Sequence, residues 1–119
     1  MTEITHINQL SLPEAYKETL MHMLTRLQAY PVVQDIILFG SCAMQDILSY
    51  SDIDLAIVLS EPITPKEEWD IDNDIRNWDT NIACDIIFIP KDSLNWKSKG
   101  DTVIRPILQE GVRLSGLLY

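Results

Sequence analysis

Apolar residues fall along this chain in two alternating periods. Leu20, Met23, Leu24 and Leu27 recur at helical spacing until Pro31 ends the run, and Ser11-Leu12-Pro13-Glu14 ahead of them has the spacing of a capping box. The pattern predicts a first amphipathic helix. Residues 35–39, DIILF, then form a short apolar run rich in β-formers and ended by Gly40, which predicts a buried strand. A short helix is expected from about Cys42 to Leu48, and a second buried strand over 52–59, DIDLAIVL. Thr64-Pro65-Lys66-Glu67 is another capping box with proline at the first helical position, and behind it Ile71, Ile75 and Trp78 share one helical face. A third strand is expected over 83–89, ACDIIFI, closed by Pro90. Residues 102–110 read as a last helix ended by Gly111, with Pro106 inside it. Strands alternating with amphipathic helices predict an α/β (α+β) fold, a small mixed sheet with flanking helices.

Length and charge narrow what such a fold does. At 119 residues and 46% hydrophobic, residues 1–119 are expected to form a single domain around one core. The formal net charge of -9 argues against a broad phosphate-binding surface, so direct nucleic-acid binding is not expected. A basic partner or a metal-borne substrate suits it better. Only Cys42 and Cys84 are present, which reads as two reduced thiols of a cytoplasmic protein. The opening MTEITHINQL has no leader pattern, and no apolar run approaches membrane-spanning length, so no membrane association is expected.

The chemistry is concentrated in residues 40–58, GSCAMQDILSYSDIDLAIV. Side chains alternate across a strand, so Asp52 and Asp54 project from one face while Ile53, Leu55 and Ile57 take the other. Two adjacent carboxylates repel, and no lysine or arginine lies between Arg26 and Lys66 in the sequence. A divalent cation answers that repulsion; Mg²⁺ prefers oxygen ligands and completes its shell with water and substrate phosphates. Asp85 opens its own apolar strand as Asp52 opens the other, and if those strands are neighbours three carboxylates converge at one sheet edge. Gly40 permits a tight turn with close backbone approach, and Ser41 adds a hydroxyl, so the pair can cradle a phosphate.

With Gly40-Ser41, then ten residues, then Asp52-Ile53-Asp54, and a later strand aspartate, the chain resembles the DNA polymerase beta-like nucleotidyltransferase superfamily. More narrowly it resembles the minimal nucleotidyltransferases (MNT), single-domain proteins of about this length. That resemblance implies a polymerase beta-like nucleotidyltransferase fold and Mg²⁺-dependent transfer of a nucleoside monophosphate, usually AMP from ATP. It also implies a HEPN-domain toxin as partner, an all-helical RNase that many such antitoxins neutralise by adenylylating a tyrosine. Carried onto this sequence, Gly40 and Ser41 would hold the NTP triphosphate. Asp52 and Asp54 would bind metal, while Asp85 would complete the metal site and activate the acceptor hydroxyl.

The chain departs from the family pattern G-S-R-A-x-G, with Cys42 in the arginine position and Gln45 in that of the second glycine. A cation beside a transferring phosphoryl group stabilises the transition state by a few kcal/mol, about two to three powers of ten in rate. Lys91, Lys97, Arg105 or the partner could replace it, or the chain is a slow or inactive member. Two other readings therefore stand beside the protein-modifying enzyme: a catalytically weak module that neutralises its partner by complex formation, and a nucleotidyltransferase acting on a small molecule. An oligomer is compatible with each. Away from the motif, Cys42 reads as a small helix residue under the cradle, and His6 and His22 as surface histidines. Asp70, Asp72, Asp74 and Asp79 read as a solvated helix face, Trp69, Trp78 and Trp96 as packing residues, and Tyr119 as a chain end.

Overall fold

A computed structural model describes residues 2–44, 52–78, 80–94 and 104–117, with backbone only at 94, 105 and 106. Its elements are β1 (Thr2–Glu3), α1 (Glu14–Leu27), β2 (Val33–Phe39), α2 (Gly40–Ala43), β3 (Ile53–Leu59), α3 (Pro65–Ile75), β4 (Cys84–Pro90), α4 (Ile104–Glu110) and β5 (Val112–Arg113). The strands form one mixed sheet in the order β1-β5-β2-β3-β4. β2 and β3 are antiparallel, whereas β3 and β4 are parallel, because α3 carries the chain back between them. The expected three long strands are present, each within one or two residues of its predicted bounds. The two-residue strands β1 and β5 are too short to leave a periodic signal.

Alternation along β3 assigns each face a separate core. Ile53, Leu55, Ile57 and Leu59 are buried against Leu20, Met23, Leu24 and Leu27 of α1 and Ile71 and Ile75 of α3. Ala56 and Val58 point to the opposite face, where Ile37, Ile89, Ile104 and Ile107 form a smaller cluster. β3 is therefore buried on both faces, as a central strand with a continuous apolar sequence should be. The one interruption of its apolar lining is Asp54.

Helix ends decide two of the expectations. Thr64 caps α3 as predicted: its hydroxyl accepts from the Glu67 N–H at 3.1 Å, and the Glu67 carboxylate accepts from the Thr64 N–H at 3.3 Å. The Ser11–Glu14 pattern does not cap α1, whose first residue is Glu14 and whose N-cap is Pro13 with no side-chain cap bond. Proline at the residue before the helix fixes φ near the value needed there, so the entry is set by the ring instead of a hydroxyl. The capping box near the amino terminus lies elsewhere, with His6 Nδ1 accepting from the Asn8 N–H and the Gln9 side chain accepting from the His6 N–H. His6 is thus a cap.

The acidic run on α3 is paired. Asp70 meets Lys66 at 3.1 Å and Asp72 meets Arg76 at 2.8 Å, both exposed i,i+4 pairs of small net worth. Asp74 faces α1, accepting from Arg26 at 3.0 Å and from the Tyr30 hydroxyl at 2.5 Å, so it ties the two helices together. Trp69 is 67% exposed on the outer face of α3, and Trp78 lies beyond the helix end, stacked on His22 with ring centroids 4.4 Å apart. Neither tryptophan joins the core, and His22 is a stacking partner. Asp79, Trp96 and Tyr119, the expected helical residues 45–48 and the start of the last helix at 102–103 lie outside the described residues.

Removing the Thr64 hydroxyl deletes one half of a reciprocal pair. Thr64→Ala is expected to cost about 1 kcal/mol of folding stability, read as a lower urea midpoint with an unchanged slope.

Candidate active site

The site is assembled where β2 ends and β3 and β4 begin. Phe39, the last residue of β2, is the register partner of Asp54, which places Gly40 against the start of β3. Gly40 has φ +74°, the left-handed region that side chains with a Cβ enter at a cost of about 1–2 kcal/mol. A Cβ there would also collide with Asp54 Oδ2. The glycine is thus required twice, once for the turn and once for the approach of a carboxylate to the backbone. Ser41 follows in α2, half-exposed at the same sheet end.

Parallel pairing of β3 with β4 aligns Asp54 with Asp85, which brings the two carboxyl groups side by side. Burial, then the Asp85 charge, then the Asp52 charge push the Asp54 pKa up to about 6. Asp52 lies just before β3, half-buried; its carbonyl accepts from Cys42 Sγ at 3.3 Å and its charge acts on Asp54. Asp54 and Asp85 therefore stand together, with Asp52 adjoining. Among the described residues no three acidic, cysteine or histidine side chains form a ready-made metal cage.

The residues nonetheless fit a Mg²⁺ ion with its substrate. That ion is commonly held by one or two carboxylates, with substrate phosphates and water completing the shell, so a three-ligand protein cage is not needed. A like-charged pair in which burial and the neighbouring carboxylates raise the proton affinity of Asp54, beside a Gly-Ser turn, is the donor set such an ion would take. Asp54 and Asp85, with Asp52, would hold it.

Position 42 supplies no cation. Cys42 is fully buried against the core that contains Ile53, and burial together with Asp54, Cys84 and Asp52 raises its thiol pKa to about 11. The thiol stays protonated and unreactive at neutral pH. Lys91 follows β4 and is six residues from Asp85, about 20 Å along the strand, at the wrong end of the sheet. It cannot replace the family's arginine. Lys97 and the side chain of Arg105 lie outside the described residues, as does Gln45. Sequence reasoning passed over Arg76, which caps α3 at the same end of the sheet; burial raises the Cys84 thiol pKa and the Arg76 charge partly offsets it. Cys84 directly precedes Asp85, so Arg76 is at the right end of the sheet but on the opposite face. The helical antiparallel return that brings it there is a tertiary fact, and no local motif marks it.

A mixed sheet with a Gly-Ser turn and paired aspartates at one end is the architecture of a nucleotide-handling domain. The polymerase beta, nucleotidyltransferase family matches residues 22–115, and the chain belongs to that family. Nucleotidyl transfer is its class of chemistry. No curated protein matches the chain by sequence. Among solved structures, a toxin–antitoxin complex with AMP-PNP is similar at 19% identity, covering 78% of this chain and 69% of the other with a TM-score of 0.54. A mutant of the toxin–antitoxin MntA-HpeT is similar at 16% identity, over 76% and 68%, with a TM-score of 0.52. A tri-AMPylated Shewanella oneidensis HEPN toxin in complex with MNT antitoxin is similar at 18% identity, over 80% and 70%, with a TM-score of 0.47. At these identities the likeness is one of fold.

Two outcomes test the geometry. Gly40→Ala is expected to lose about 1–2 kcal/mol of stability and, by displacing Asp54, the rise in melting temperature that Mg²⁺ plus ATP gives the parent chain. The second concerns pH. A raised carboxyl pKa means that folding favours the protonated form, so this stabilisation is complete below about pH 4 and is lost as pH rises through about 6. Without metal, the melting temperature of Asp54→Asn minus that of the parent should therefore climb across that window and level off above it. A difference independent of pH would contradict the like-charge pair.

Proposed function

We propose that residues 1–119 act as one nucleotidyltransferase domain that transfers AMP from ATP to a hydroxyl of a partner protein, as the cytoplasmic antitoxin of a HEPN-domain toxin. The observation that carries this reading is the Asp54 carboxyl held between the Gly40 backbone and Asp85. It joins a glycine-serine backbone turn to a carboxylate pair at one point of the sheet. The fold-level likeness to toxin–antitoxin structures, one of them with AMP-PNP, supports a protein partner and an adenine nucleotide. The toxin's tyrosine as acceptor follows from the MNT resemblance alone.

In this reading Gly40 and Ser41 receive the triphosphate, the glycine through backbone proximity and the serine through its hydroxyl. Asp52, Asp54 and Asp85 hold Mg²⁺, which when bound neutralises phosphate charge and orients the leaving group. Asp85, exposed at the outer strand, takes the proton of the acceptor hydroxyl. The acceptor oxygen forms a bond to the α-phosphorus, the bond from that phosphorus to the bridging oxygen breaks, and pyrophosphate leaves.

A specific observation favours a second reading. Cys42 is buried where a cation would assist the transition state, which suits a module that neutralises its partner by binding and turns over slowly. Incubation of the chain with Mg²⁺, α-labelled ATP and a HEPN-domain protein from the same genome, followed by intact mass of both, separates the two. The enzyme reading expects one or more AMP units on the toxin, absent with Asp54→Ala. A stable complex without mass gain would establish the binding module.

A further inference from the structure

A groove of about 510 Å³ opens at the end of the sheet opposite the aspartates. Tyr30, Pro31 and Val32, which lead into β2, form its floor together with Ile71 of α3. Ser60, which follows β3, lies six residues from Asp54, so the groove is about 20 Å from the catalytic end. Its wall is fixed in advance. Tyr30 donates to Asp74 at 2.5 Å, and the other oxygen of Asp74 accepts from Arg26 at 3.0 Å.

The rim carries Glu61, Glu67 and Asp70. Lys66 offsets one of these through its ion pair with Asp70 and stands out in solvent, so the rim keeps net negative charge over an apolar floor. A neutral apolar ligand would leave those carboxylates without counter-charges. A second copy of the chain would bring more of the same charge, since Asp and Glu number 18 against 9 Lys and Arg. The complementary occupant is a segment with aliphatic stems and cationic heads, the stems on Val32 and Ile71 and the heads at the carboxylates. We propose that this groove docks a basic, leucine- and arginine-bearing segment of a partner protein. The inference rests on the proposed function only in taking the occupant to be a protein.

The test is a ¹H–¹⁵N NMR titration of the full chain with a capped peptide of alternating arginine and leucine, with the glutamate–leucine analogue as control. Expected are saturable shifts at Tyr30, Val32, Ser60, Glu61 and Ile71, weakening as salt is raised from about 0.05 to about 0.5 M. Glu61→Arg, which reverses a rim charge, and Ser60→Trp, which fills the groove, should each weaken binding about tenfold or more. Absence of saturable binding, shifts centred on the catalytic end, equal binding of the control peptide, or full binding by both variants would overturn the proposal. Shifts at these residues on changing the concentration of the chain alone would assign the groove to a second copy and overturn it as well. Both variants should keep the melting shift with Mg²⁺ plus ATP. Loss of that shift in the parent chain would count against the nucleotidyltransferase reading and leave the groove result standing.

Discussion

The parallel register between β3 and β4 forces Asp54 beside Asp85, and the candidate site is organised around that repulsion. Two carboxyl groups on adjacent strands ionise together only at a cost when one is half-buried, and burial with the neighbouring charges pushes the Asp54 pKa up to about 6. The cost is borne by the two apolar clusters on either face of β3, which hold the strand whatever the state of its one polar inward residue. Gly40 lets the tension persist. Any larger residue would push the Asp54 carboxylate away from the backbone and relieve that crowding.

The same topology sets the two ends of the molecule to different tasks. α3 returns the chain antiparallel to β3, so residues that begin α3 lie at the groove and the residue that caps its end, Arg76, lies near the start of β4. Asp74 is bonded to both Arg26 and Tyr30, so one carboxylate fixes the packing of α1 on α3 and the wall of the groove. The candidate site and the groove thus share one frame without sharing atoms.

Much of the frame was legible in the sequence because its signals are local. Three apolar runs named the long strands, and Thr64-Pro65-Lys66-Glu67 named the start of α3, since a capping box is satisfied within four residues. The Gly-Ser and Asp-x-Asp spacing pointed to the candidate site for a similar reason: the turn and the strand that follows it are close in sequence. What stayed hidden depends on partners far along the chain. Ser11-Leu12-Pro13-Glu14 has the letters of a cap, yet Pro13 occupies the N-cap. Trp78 fits the helical period of Ile71 and Ile75, but the helix stops at Ile75 and its ring rests on His22. The aspartates of α3 resemble a solvated face until Asp74 is seen to meet α1. Lys91 is near Asp85 in sequence and far from it in space, because the strand between them is extended.

Position 42 decides how complete the site is by itself. Its side chain turns into the core beneath the cradle, packed with residues that an arginine would displace and whose surroundings would leave a guanidinium without water. Arg76 sits across the sheet and is engaged with Asp72. Neither Cys42 nor Lys91 brings positive charge to the three aspartates, so among the described side chains facing them the balance is negative. In the proposed reading such an end would disfavour a bare triphosphate and accept one that arrives with its divalent ion, since the pair brings less negative charge than the nucleotide alone. Metal and nucleotide would then bind as one unit, each offsetting the charge that opposes the other.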